Sequence, residues 1–182
     1  MTWELALAEL FDDLETRADG EALSARAQDV ADLARAEYAE IDLEARLLGS
    51  LGEPVALDLV GASVTGRLLR VGRGCLAVTR EDVPRRTVLV NLRHLLTART
   101  PSSRAVSEES RPLTSRLGLA SALRHLVEEE ERLLARLSDG RAVRGEATRV
   151  GADFLELRLD DANGAGGVAL LPMHSLVTVE QR

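Results

Sequence analysis

GASVTGRLLRVGRGCL, residues 61–76, and GRAVRGEATRVGADFL, residues 140–155, decide how this chain is read. Set one above the other, they agree at seven of sixteen positions: Gly61 with Gly140, Val64 with Val143, Gly66 with Gly145, Arg70 with Arg149, Val71 with Val150, Gly72 with Gly151 and Leu76 with Leu155. Chance at this composition would give roughly one or two, so the spacing of 79 residues reads as an internal duplication. Each stretch alternates apolar and polar residues between glycines, the mark of short antiparallel strands. Asp139-Gly140 is a two-residue hairpin signal, because a type I′ turn needs positive φ at both central positions. Gly66 and Gly145 fall inside strands, where a missing side chain marks a sharp bend.

Working outward, VALDLV, VTGRLLRV, CLAVTR, TVLVNL and LLTA between residues 55 and 98 form five short strands, which predicts a small barrel or a strongly bent sheet. With two extra residues in the later loop, Leu89, Leu95 and Thr97 match Leu170, Leu176 and Thr178. The expected organisation is therefore an α+β chain: an acidic helical hairpin over 1–49, a five-stranded antiparallel small barrel over 50–99, a linker over 100–114, and a helix plus a second such barrel over 115–182. The helix before the second barrel is expected from about Ser115 to Val127, with Leu119, Leu123 and Leu126 on its apolar side. The linker is rich in Ser, Pro and charge and predicts little fixed structure.

In the N-terminal segment, Trp3, Leu7, Leu10, Phe11 and Leu14 share one helical stripe that Thr2 could cap, and Asp19-Gly20 stops it. From Glu21 to about Leu48 no Pro or Gly intervenes, which predicts one long helix. Its stripe contains Leu23, Ala27, Val30, Ala34, Ile41 and Leu48. Such a helix outruns what a small domain covers, so Leu23, Val30, Ile41 and Leu48 are expected in an oligomer interface, a homodimer being preferred over an intramolecular contact.

Among the 182 residues, 45% are hydrophobic and 29% charged, as in globular chains rather than disordered ones. No apolar run approaches the roughly 18 residues of a membrane span. MTWELALAEL lacks the basic start of a signal peptide, which predicts a cytoplasmic protein. One cysteine excludes a disulfide within the chain. Charge is uneven: residues 1–49 carry 13 acidic side chains against four arginines, a net −9, whereas residues 50–100 carry eight arginines against four acids, a net +4. That asymmetry predicts either a basic ligand surface or electrostatic docking.

The pattern LSDGRAVRGEATRVGADFLEL followed by ALLPMHSLVTV resembles the Sm-like fold, especially its bacterial RNA-chaperone, Hfq-like, branch; LDLVGASVTGRLLRVGRGCLAV with VLVNLRHLLTA looks like a more diverged copy. The whole chain is similar to actinobacterial proteins that join an acidic helical N-terminus to such repeats. The resemblance implies that the fourth strand of one unit pairs with the fifth of the next. Two copies per chain could pair with each other or close a ring between chains. It also implies single-stranded RNA binding through the second-to-third and fourth-to-fifth strand loops. Those loops hold Gly72–Cys75 with Asn91–His94, and Gly151–Phe154 with Pro172, Met173 and His174. The family's loop Asn is replaced by Cys75 and Phe154. The nucleic-acid candidates are Arg67, Arg70, Arg73, Arg85, Arg86, Arg93 and His174.

His94 and His125 have no ligand-spaced companions, so no metal site and no cofactor are expected. Cys75 aligns with Phe154 and is expected to be a buried apolar position. GASVTGRL has Arg67 and Leu68 where a phosphate loop needs Lys and Ser or Thr, and it reads as strand. Asp12-Asp13, Glu128–Glu131 and Asp160-Asp161 lack the supporting bases of a catalytic pair. Aromatics are 2% of residues, too few for base-stacking platforms. The function expected is that of a non-enzymatic structural or interaction protein, a homo-oligomer of two or more chains with a protein partner and no membrane role. A nucleic-acid-binding regulator is the alternative.

Overall fold

The computed structural model describes Trp3, Arg17 and residues 26–81, 86–128, 132–160 and 167–181. Two compact units divide the chain, Met1–Ile41 and Asp42–Arg182. In the first, residues 26–39 form helix α1, and its side chains are exposed, Val30, Leu33 and Tyr38 among them. The stripe expected over Thr2–Asp19 lies outside the described residues except for Trp3 and Arg17, which are helical.

The long helix expected to reach Leu48 does not form, so neither does the hairpin as drawn from the sequence. Helix α1 tightens into a turn, with the Glu40 N–H donating to Glu37 and the Ile41 N–H to Tyr38. Asp42 then adopts extended backbone and caps a separate short helix, α2 (Leu43–Leu48): its Oδ1 accepts from the Ala45 N–H at 2.6 Å. A short carboxylate that satisfies a free backbone N–H is more stable as a cap than as one more helical residue. Ala45, Leu47 and Leu48 are buried in the second unit.

Ten strands follow: β1 (Pro54–Leu59), β2 (Ala62–Gly72), β3 (Cys75–Arg80), β4 (Thr87–Asn91), β5 (Leu95–Arg99), β6 (Arg132–Leu137), β7 (Ala142–Val150), β8 (Phe154–Leu159), β9 (Val168–Pro172) and β10 (Leu176–Gln181). The expected pair of five-stranded small barrels is not what they build. All ten join in one open antiparallel sheet, in the order β5-β1-β2-β3-β4-β10-β6-β7-β8-β9. Strand β4 pairs with β10, Val90 opposite Thr178 and Leu89 opposite Val179, while β5 pairs with β1 alone. A barrel needs each set of five to close on its own fifth strand. Here the seam between the two sets takes that position, and β5 and β9 remain as edges.

Bending of the sheet is built into both halves. A Cβ on Gly66 would collide with the carbonyl of Thr79, and one on Gly145 with the carbonyl of Arg158. Register shifts interrupt β2 between Leu68 and Arg70, and β7 between Ala147 and Arg149. Bulges next to side-chain-free positions let a strand turn sharply without losing its ladder.

Two apolar clusters result. One gathers Leu47, Leu57, Leu68, Val78 and Val90. The other gathers Leu123, Leu133, Leu155, Leu157 and Leu176. Each fully buried leucine contributes about 2 kcal/mol. Val177 of β10 belongs to the first cluster and Leu89 of β4 packs on the second, so the seam is stitched by side chains as well as backbone. Helix α3 (Leu119–Glu128) starts later than expected, after a 3-10 turn at Leu113–Arg116, and buries Leu123 fully. The stretch before it, expected as a linker, runs across α2: the Val106 N–H donates to Ala45, Arg46 donates to the Arg104 carbonyl, and Arg111 pairs with Asp42 at 2.9 Å. Among the described residues no helix is long and apolar enough to cross a membrane.

Candidate functional site

The turn between β2 and β3 and the 3-10 turn Leu92–His94 between β4 and β5 meet at one end of the sheet, where the Leu92 N–H donates to the Gly74 carbonyl at 2.9 Å. Their cations, Arg73 and Arg93, are both exposed. The equivalent loops of the other half meet likewise, the Met173 N–H donating to Asp153 at 2.7 Å. Asn91 clasps the two halves: Nδ2 donates to the carbonyls of Met173 (3.0 Å) and Leu176 (2.9 Å), and Oδ1 accepts from the Arg93 N–H. His94 Nε2 donates to the His174 carbonyl at 2.8 Å. Arg73, Arg93, His94 and His174 are thus carried on connected turns, together with two carboxylates: Asp153 on the turn that meets Met173, and Glu44, which accepts from the Gly74 N–H at 2.7 Å.

The other candidates are dispersed. Arg67 donates to the Gly52 carbonyl and Arg70 to that of Leu69, and both lie along β2. Arg86 is half-buried beside β4, and Arg85 lies outside the described residues. Of the interface candidates, Val30 is exposed, Ile41 half-buried and Leu23 outside the described residues. Leu48 is 4% exposed and part of the first apolar cluster, which makes it a core residue instead.

Two concavities were not expected from the sequence. A groove of about 370 Å³ runs between α3 and strands β2–β4, walled by Val71, Leu76, Ala77, Leu89, Leu117 and Ala122, with Arg70 and His125 also lining it. Cys75 backs onto this groove, and burial, with the charge of Glu44 adding to it, pushes its thiol up to about 11. It is therefore a protonated, apolar thiol at neutral pH. A polar cavity of about 230 Å³ opens beside the seam, lined by Ser63, Arg80, Arg136, Thr178 and Glu180 among others. Glu180 is buried and lies 3.7 Å from Arg80. A carboxylate on the strand motif LVTVEQ reads as one more solvated alternation, and only the partner strand reveals that it is enclosed. Among the described residues no three His, Cys, Asp or Glu side chains are grouped so as to hold a metal ion. Comparison with known proteins finds no matching family and no matching curated relative.

Proposed function

We propose that this chain is a non-enzymatic structural or interaction protein, built from a duplicated five-strand unit and self-associating through its open sheet edges and the apolar stripe of α1. The single observation that carries the reading is the β4-β10 seam, because it leaves β5 and β9, the counterparts of β10 and β4, each with one side unpaired. In the seam Val179 faces Leu89. By the same register Ala98 of one copy would face Leu170 of the next. The fourth-to-fifth pairing is also what a distant Sm-like relationship implies, and the equal strand order and bulge positions of the two halves support the duplication. Exposed edges carrying Leu96 (65% exposed) and Leu170 (61%) invite strand addition, whereas a chain that works alone blunts them with charge. The reading takes the protein as cytoplasmic, as its N-terminal sequence MTWELALAEL suggests.

Light scattering across a concentration series tests this. The expected particle exceeds 19.7 kDa and loses mass in Leu96→Lys with Leu170→Lys, or in Val30→Glu. A mass of one chain at every concentration overturns the reading. A mass unchanged by the strand pair removes the edges, and one unchanged by Val30→Glu removes the helix. The meeting of the Arg73 and Arg93 turns favours, as a second reading, binding of single-stranded nucleic acid at that end of the sheet.

A further inference from the structure

Helix α3 lays Leu119, Leu123 and Leu126 on the second apolar cluster, and its flank of Ser121, Ala122 and His125 lines the 370 Å³ groove. The groove is walled by aliphatic side chains, and among the described residues no carboxylate lines it. Among its described lining residues the charged one is Arg70. Apolar surface continues outward through Leu117 at 54% exposure and Leu113 at 77%. A volume of this size is at the small end of ligand sites, about 300–1,000 Å³, and suits a few large side chains delivered on a helix.

The complementary chemistry is present in the chain itself. Trp3, Leu7, Leu10, Phe11 and Leu14 carry the spacing of one helical stripe, with Glu4, Glu9, Asp12 and Asp13 between them and Glu15 just after, in a segment of net negative charge. Trp3 is 75% exposed. The apolar stripe written in Thr2–Asp19, flanked by acids, matches in chemistry an apolar groove with Arg70 at its lip. We propose that the groove receives the acidic amphipathic segment Thr2–Asp19 of a second copy of this chain. Each copy carries one groove and one segment, so two copies exchanging segments form a closed pair. This inference rests on the reading of the protein as self-associating.

Trp3 is the only tryptophan, so the emission of the full-length protein reports on the segment directly. The expected result is a blue shift that grows with protein concentration, with a midpoint that rises as salt screens the acid–arginine attraction. In Leu117→Glu and in Arg70→Glu the midpoint moves up by about tenfold. Both sites are exposed, and circular dichroism checks that each variant keeps the fold. A shift independent of concentration would mean that the segment is covered within its own chain, and it overturns the second-copy assignment. A solvated emission at every concentration overturns docking altogether. If mass rises while Trp3 stays solvated, self-association stands and the groove assignment alone fails. A particle of 19.7 kDa throughout removes both.

Discussion

Asp42 shows how one side chain redirects a helix. Its carboxylate accepts from the Ala45 N–H and from Arg111, and these contacts, the backbone donor first, hold its pKa below the ordinary value of 3.8. The folded carboxylate binds its proton less tightly than the unfolded one, so its contribution is complete above that value and is lost as pH falls through the lower, folded value. Asp42→Ala is expected to cost about 1 kcal/mol at pH 7, read from urea midpoints, and the gap is expected to narrow as pH falls below 3.8. A gap unchanged over that range would trace the loss to something other than the ionised cap. The break at Asp42 was hard to read in advance, since AEIDLEARLL has uniformly good helix formers on both sides of it. The burial of Cys75, by contrast, was legible from its alignment with Phe154.

At the scale of elements, the strands were legible because side-chain alternation fixes which face of a strand is buried. It does not say which strand lies alongside, and that is where the expectation of two barrels failed. The seam depends on Asn91, which the sequence shows only as the first residue of the Asn91–His94 loop, and whose amide donates to the carbonyls of Met173 and Leu176. Asn91→Ala leaves two carbonyls without a donor and is expected to cost about 2 kcal/mol in denaturant unfolding. Asn91→Asp, nearly the same shape but an acceptor only, is expected to cost more, because its charge would face those carbonyls. A smaller loss in Asp than in Ala would mean that the amide donor does not hold the seam.

Across the whole molecule, charge is the feature most plainly written in the sequence and least determined by the fold. A segment of net −9 precedes one of net +4, yet Arg67 and Arg70 donate to main-chain carbonyls, and the Arg73 turn is shared with Glu44. If Arg73 and Arg93 are the cations that meet phosphates, a fluorescent single-stranded RNA binds at low salt with a log–log salt slope of about −1.4, two contacts' worth. The double variant Arg73→Glu, Arg93→Glu then weakens binding by at least about tenfold. No binding at low salt, where phosphate contacts are strongest, would set the nucleic-acid reading aside. Which turns converge could not be read from linear spacing: those of Arg73 and Arg93 are joined by the hydrogen bond from Leu92 to Gly74, and His94 reaches His174 across 80 residues.

The position of β10 bears on how the protein comes into being. It is the last of the ten strands to be synthesised, and it lies in the middle of the sheet, between β4 and β6. Val90 must wait for Thr178, 88 residues later, which at about 5–20 residues per second is on the order of ten seconds on the ribosome. During that interval the nascent chain displays the outer side of β4 unpaired, with β3 on the other, and whatever binds it first, whether a chaperone or a neighbouring nascent chain on the same message, competes with its own final strand.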